Sequence, residues 1–172
     1  MCGIAFLSSC DVAQSALDRM VKIQDHRGPD DNGTYSGAGA EGLGHVRLSI
    51  LDLSDAGHQP MASADGRYVI SFNGEIYNYP ELRAELRDYP FRSQCDTEAI
   101  LAAYQQWGAA CLDRMIGMFA FVIWDTKENV AWGARDRFGV KPFYYHETKT
   151  GGLMVASEIK ALHAGGAPRE PD

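Results

Sequence analysis

The stretch that most constrains the fold runs from Phe119 to Ser157. It reads FAFVIW, DTKEN, VAWGARD, FG, PFYYHE, TKTGG and LMVAS, with short apolar or alternating runs separated by turn formers, and a short helix EIKALHAG follows. This succession predicts a meander of strands joined by tight connections. Helical patterns precede it. Residues 11–25 carry Val12, Ala16, Leu17, Met20 and Val21 at helical spacing, and Pro80 opens a helix containing ELRAEL. After Asp96, Ala99, Ile100, Ala103, Tyr104 and Trp107 form an apolar stripe that Gly108 ends. Further strands are expected over residues 2–7 and 68–72. Another is expected in GHVRLSILDL at 44–53, with Val46, Leu48 and Ile50 on one face and His45, Arg47 and Ser49 on the other. HRGPDDNG at 26–33 is dense in turn formers. Hairpins with helices interposed favour an antiparallel α+β layering over a parallel βαβ fold.

A chain of 172 residues with 45% hydrophobic side chains can bury one sizeable core. We expect one domain over 1–163, with the Gly- and Pro-rich residues 164–172 as a linker-like tail. The excess of 23 acidic over 16 basic residues repels phosphate backbones and anionic membrane surfaces, so neither nucleic acid nor a membrane is an expected partner. No run approaches the roughly 20 apolar residues of a membrane span, and the first residues lack the features of a secretory signal, which predicts a cytoplasmic protein. Cys2, Cys10, Cys95 and Cys111 form no CxxC pair. They are expected to be free thiols, with no metal site and no disulfide framework.

Cys2 directly follows the initiator methionine. In a buried first strand it could be merely a small apolar residue. Removal of Met1 would instead leave a thiol and a free α-amine on one residue. That amine, with a reference pKa of about 7.7 to 8.0, could accept the thiol proton near neutral pH. Other positions carry competing readings too. Asn73-Gly74 is a favoured hairpin turn, Asp96 is placed as a helix N-cap, Arg47 could lie on an exposed sheet face, and Glu75 could be an exposed turn residue.

Taken together, MCGIAFL, HRGPDDNG, GHVRLSILDL, FNGEIYN, CDTEAI, GMFAFVIWD and ARDRFGVKPFYY, in this order, resemble the glutaminase domain of the asparagine synthetase branch of class II glutamine amidotransferases. The resemblance implies an N-terminal nucleophile hydrolase fold, a four-layer αββα sandwich of two antiparallel sheets between helices. It implies Cys2 as nucleophile with its α-amine as base and acid, Asn73 and Gly74 as the oxyanion hole, and Arg47, Glu75 and Asp96 as binders of glutamine. Glutamine would be hydrolysed to glutamate and ammonia without a cofactor, and an ATP-dependent synthetase domain or subunit would receive the ammonia. No pyrophosphate or phosphate loop is present, so the chain itself is not expected to bind ATP. His26, Arg27 and Asp30 are expected to stabilise their loop, and Arg135, Arg137 and Lys141 to serve as turn or interface residues. The alternative is a non-catalytic glutamine-binding or scaffolding module that keeps Met1 and therefore has no free amine at Cys2.

Overall fold

The computed structural model describes residues 1–8, 14–37 and 41–169. Among these residues, nine strands fall into two antiparallel sheets. The first sheet contains β1 (Gly3–Ser8), β2 (Asp31–Ser36), β3 (Glu41–Arg47), β8 (Tyr144–Glu147) and β9 (Leu153–Ala156), in the order β2-β3-β1-β9-β8. The second contains β4 (Met61–Ala62), β5 (Tyr68–Ile76), β6 (Gly117–Asp125) and β7 (Val130–Arg135), in that order. Helices α1 (Gln14–Lys22) and α4 (Ile159–Gly165) pack on the first sheet, and α2 (Tyr79–Glu85) and α3 (Asp96–Trp107) are associated with the second.

Three apolar clusters fill the gaps between the layers, each drawn from one face of the alternating strands. Ala5, Leu7 and Val46 meet Leu17, Met20 and Leu162 on the outer side of the first sheet. Ile4, Phe6 and Leu43 meet Val69, Val122 and Trp124 between the sheets. Ile70, Phe72 and Phe121 meet Ile100 and Leu101 beneath α3. The result is the expected αββα sandwich, with every layer contact made by a strand's alternate residues.

Several local expectations are corrected. The apolar run after residue 117 is not one meander: β6 and β7 pair in the second sheet, while β8 and β9 pair in the first. The chain crosses between sheets at residues 136–143. Asp136 fixes that crossing by accepting the backbone N–H groups of Phe119, Phe138, Val140 and Lys141. Arg135 closes it from the other side, donating to the carbonyls of Lys141 and Gly139.

The strand expected over 44–53 stops at Arg47. Its guanidinium donates to the carbonyls of Leu51, Asp52 and Ser54. The following loop therefore wraps around it, with Asp52 in the left-handed region at φ 50°, and Ile50, expected on a strand face, is 70% exposed. Part of the expected turn at 26–33 is strand β2. The Asn73-Gly74 hairpin is also absent: both residues lie within β5, opposite Ala120 and Phe119 of β6. Near the end of the described residues, α4 runs to Gly165 and Ala167 packs into the outer core. Val12 and Cys10 lie outside the described residues.

Candidate active site

Strand alternation alone brings four of the expected residues to one corner. Ile4 and Phe6 of β1 face the inter-sheet layer, so Cys2, two residues earlier, faces it as well. In β3 the inward residues Leu43 and His45 continue to Arg47; in β5, Val69 and Ser71 continue to Asn73 and Glu75. Gly3 opposes Val46, which brings the start of β1 beside the end of β3. Asp96 arrives from the first turn of α3. A cleft open to solvent is lined by Cys2, Arg47, Asn73, Gly74, Glu75 and Asp96 together with Met1, Gln59, Thr97 and Lys141. The structure therefore gathers all six sequence-predicted site residues.

The Cys2 thiol lies against Leu48, with Sγ 3.4 Å from its N–H and 3.7 Å from its carbonyl oxygen. Burial pushes the thiol pKa up, although the Leu48 contact, the chain's amino terminus, Arg47 and Lys141 all pull the other way. A thiol in this position needs a base to become a nucleophile.

β5 supplies a row of backbone donors along its edge facing away from β6. Phe72 N–H donates to Gln59 Oε1 at 2.7 Å and Ile76 N–H donates to Asp96 Oδ2 at 2.9 Å. By the two-residue repeat of a strand, the Gly74 N–H falls on the same edge, between those two occupied donors, where Gly74 lines the cleft. Glycine is required here by close approach, since a Cβ would run into the Met118 carbonyl oxygen of β6. The adjacent Asn73 side chain is 1% exposed, and its Nδ2 has no hydrogen-bond partner among the described residues. A buried donor without an acceptor is costly to the fold. Both residues, one with an unpartnered side-chain donor, line the cavity that holds the thiol.

The neighbours of this pair are held firmly. His45 Nε2 donates to Phe72 O at 3.0 Å, and burial drives its pKa down to about 4, so the imidazole is neutral. Gln59, which binds Phe72 N–H, is itself tied to Thr97 Oγ1 at 3.3 Å. Gly57 leaves room for Arg47, because a Cβ there would strike Nη2. Arg47 is buried rather than on an exposed sheet face. Asp96 is not the N-cap: Cys95 holds that position, and the Asp96 carboxylate instead binds across to β5. Burial raises its pKa to about 6 despite that hydrogen bond, and Glu75 pushes in the same direction.

Sequence reasoning missed three contributors. Arg27 reaches Cys2 itself, with Nε donating to Cys2 O at 2.9 Å and Nη1 to Glu158 at 3.0 Å. His26 also meets Glu158 and Asp30 accepts from Ser49 N–H, so the loop-stabilising role expected for this segment is present as well. Gln59 and Lys141 complete the list: Gln59 carries no local sequence signal, and Lys141, in ARDRFGVKPFYY, is expected from sequence only as a turn or interface residue. Cys2, Cys95 and Cys111 are free. Among the described residues, no group of three His, Cys, Asp or Glu side chains could hold a metal ion, and no helix is long and apolar enough to cross a membrane.

A family profile described as a glutamine amidotransferase domain matches residues 1–171. A Mycobacterium tuberculosis relative is 48% identical over 161 residues, 87% of this chain and 24% of its own length. A Bacillus subtilis relative named asparagine synthetase (glutamine-hydrolyzing) 3 is 42% identical over 173 residues, covering 95% of this chain and 28% of that one. The chain thus spans about a quarter of the length of the curated relatives it matches. Among solved structures, a glutamine phosphoribosylpyrophosphate amidotransferase from B. subtilis superposes with a TM-score of 0.82 at 20% identity, over 96% of this chain and 44% of that one, a likeness of fold.

Proposed function

The chain belongs to the glutamine amidotransferase domain family, and from that premise we propose that it hydrolyses the side-chain amide of glutamine to glutamate and ammonia through a thioester on Cys2. The observation that carries this reading is the buried, unpartnered Asn73 Nδ2 in the same cleft as the Cys2 thiol. A donor held without an acceptor is suited to an oxygen that becomes negative only during reaction.

With Met1 removed, the α-amine of Cys2 takes the thiol proton and sulfur attacks the amide carbon. The carbonyl oxygen becomes an oxyanion held by Asn73 Nδ2 and Gly74 N–H. The protonated amine then gives its proton to the departing nitrogen, and ammonia leaves a γ-glutamyl thioester. Water, deprotonated by the same amine, attacks the thioester, and glutamate departs as the thiol is restored. Arg47 takes the substrate α-carboxylate, since a guanidinium matches two carboxylate oxygens. Glu75 and Asp96 take its ammonium.

The ammonia is delivered to an ATP-dependent synthetase domain or subunit of the asparagine synthetase type, working in the cytoplasm. The names and lengths of the relatives support this partner, and so does an exposed apolar set that includes Leu53, Ile116, Phe138 and Val140. The second reading, binding without turnover, applies to a chain that retains Met1, because the Cys2 nitrogen is then an amide. Met1 lines the cleft yet is 58% exposed, which leaves it open to excision. The test is glutamate release from glutamine by protein whose intact mass shows Met1 to be absent, compared with Cys2→Ala. Equal rates would end the thiol mechanism, and turnover by protein that retains methionine would end the role of the amine.

A further inference from the structure

Lys141 is a buried cation for which the proposed reaction has no use. It lies on the crossing between the sheets and is 6% exposed. Its backbone is fixed at both ends: the N–H donates to Asp136 Oδ2 at 3.0 Å, and the carbonyl accepts from Arg135 Nε at 2.7 Å. Its ammonium, in contrast, meets only the Met1 thioether, 3.8 Å from Nζ, and no carboxylate pairs with it among the described residues. A thioether is a weak acceptor, and buried lysines are ordinarily paired. Excision of Met1 would remove even this contact and would create the α-amine of Cys2 in the same corner of the cleft.

We propose that Lys141 is a positioning residue for that amine, a fixed positive charge beside it that disfavours its protonation and so keeps the base free near neutral pH. This rests on the hydrolase reading above. The other charged groups around the corner are already engaged or lie across the cleft. Arg27 also touches Cys2, through its carbonyl, but its charge is paired with Glu158, which binds His26 and Lys160 as well. Arg47 is wrapped by loop carbonyls. Asp136 is occupied by backbone donors, while Glu75 and Asp96 line the part of the cleft assigned to the substrate ammonium. Lys141 already acts electrostatically on the Cys2 thiol, lowering its pKa against the effect of burial.

The test is a nitrogen-15 NMR titration of the Cys2 α-amine in Met1-free protein, alongside the pH profile of kcat/KM for glutamine. Wild type, Lys141→Met and Lys141→Arg are compared. The wild-type amine is expected to titrate below the reference of about 7.7 to 8.0. Lys141→Met should raise the midpoint by about 0.5 to 2 pH units and move the ascending limb of kcat/KM with it, and Lys141→Arg should restore both. An amine midpoint at or above the reference in wild type overturns the inference even if Lys141→Met fails to fold, as does a Lys141→Met variant that loses activity equally at every pH. Wild-type protein with a depressed midpoint but no glutamate release would sink the hydrolase reading and leave the electrostatic one standing. Release with an ordinary midpoint would do the reverse.

Discussion

The two ends of the layer between the sheets are built from the same strands and differ in what those strands present. At one end, Phe6, Leu43, Val69, Val122 and Trp124 interlock, and Phe6 and Leu43 have no exposure at all. At the other, β1, β3 and β5 continue inward with Cys2, Arg47, Asn73 and Glu75, and a buried donor is left without an acceptor. No change of fold separates core from cleft; four residues further along each strand suffice. The apolar end contributes stability through burial, and the polar end gives some of it up in a buried donor left without an acceptor.

This contrast predicts that substitutions at the two ends should separate activity from stability. The largest effect is expected for Cys2→Ala, which should abolish glutamate release while leaving the melting temperature within a few degrees of wild type. Phe6→Ala, at the apolar end, should cost about 3 to 5 kcal/mol in denaturant unfolding, with turnover per folded molecule unchanged. A fall in turnover matching the loss of stability would break the division. Asn73→Ala should lower kcat about 10² to 10³-fold with little loss of stability, because no hydrogen bond of Nδ2 is given up; marked destabilisation would make Asn73 a structural residue.

The smallest effect is a pH dependence. Asp96 has a folded pKa near 6, above its ordinary value of 3.8. The folded protein therefore binds the proton more readily than the unfolded chain between those values, and the Asp96 contribution to stability rises as pH falls through 6. Glutamine affinity should move the opposite way, weakening by up to about tenfold per pH unit below 6 as the carboxylate is lost. His45, with a folded pKa near 4 against 6.5, gives a stability slope of opposite sign over part of the same range. The Asp96 share is thus read as the difference between wild type and Asp96→Asn in parallel urea titrations. Affinity independent of pH down to 5 would remove Asp96 from substrate binding.

Much of this arrangement is legible in the sequence, for a physical reason. Inward and outward positions follow from alternation, so the helices at 96–107 and 159–165 and the strands around residues 4, 70 and 121 could be located from local pattern. What local pattern misses is set by partners distant in sequence. Arg47 ends its strand because carbonyls from residues 51–54 gather on it, and Asn73-Gly74 stays extended because β6 pairs with it. Asp96 turns from helix cap to cross-link because the Ile76 N–H is within reach. The crossing at 136–143 reads as one more hairpin turn until Asp136 is seen to bind four backbone donors there. The cleft residues Arg27, Gln59 and Lys141 are polar side chains in loops, indistinguishable by composition from solvated neighbours.

β1 lies between β3 and β9, and β9 begins only at Leu153. During synthesis, this segment therefore gains its second neighbour only after residue 153 has been made. Until then the segment is an edge, with one side open. The thiol at its tip therefore gains its finished surroundings only once residues 153–156 have been made, long after the strand that carries it.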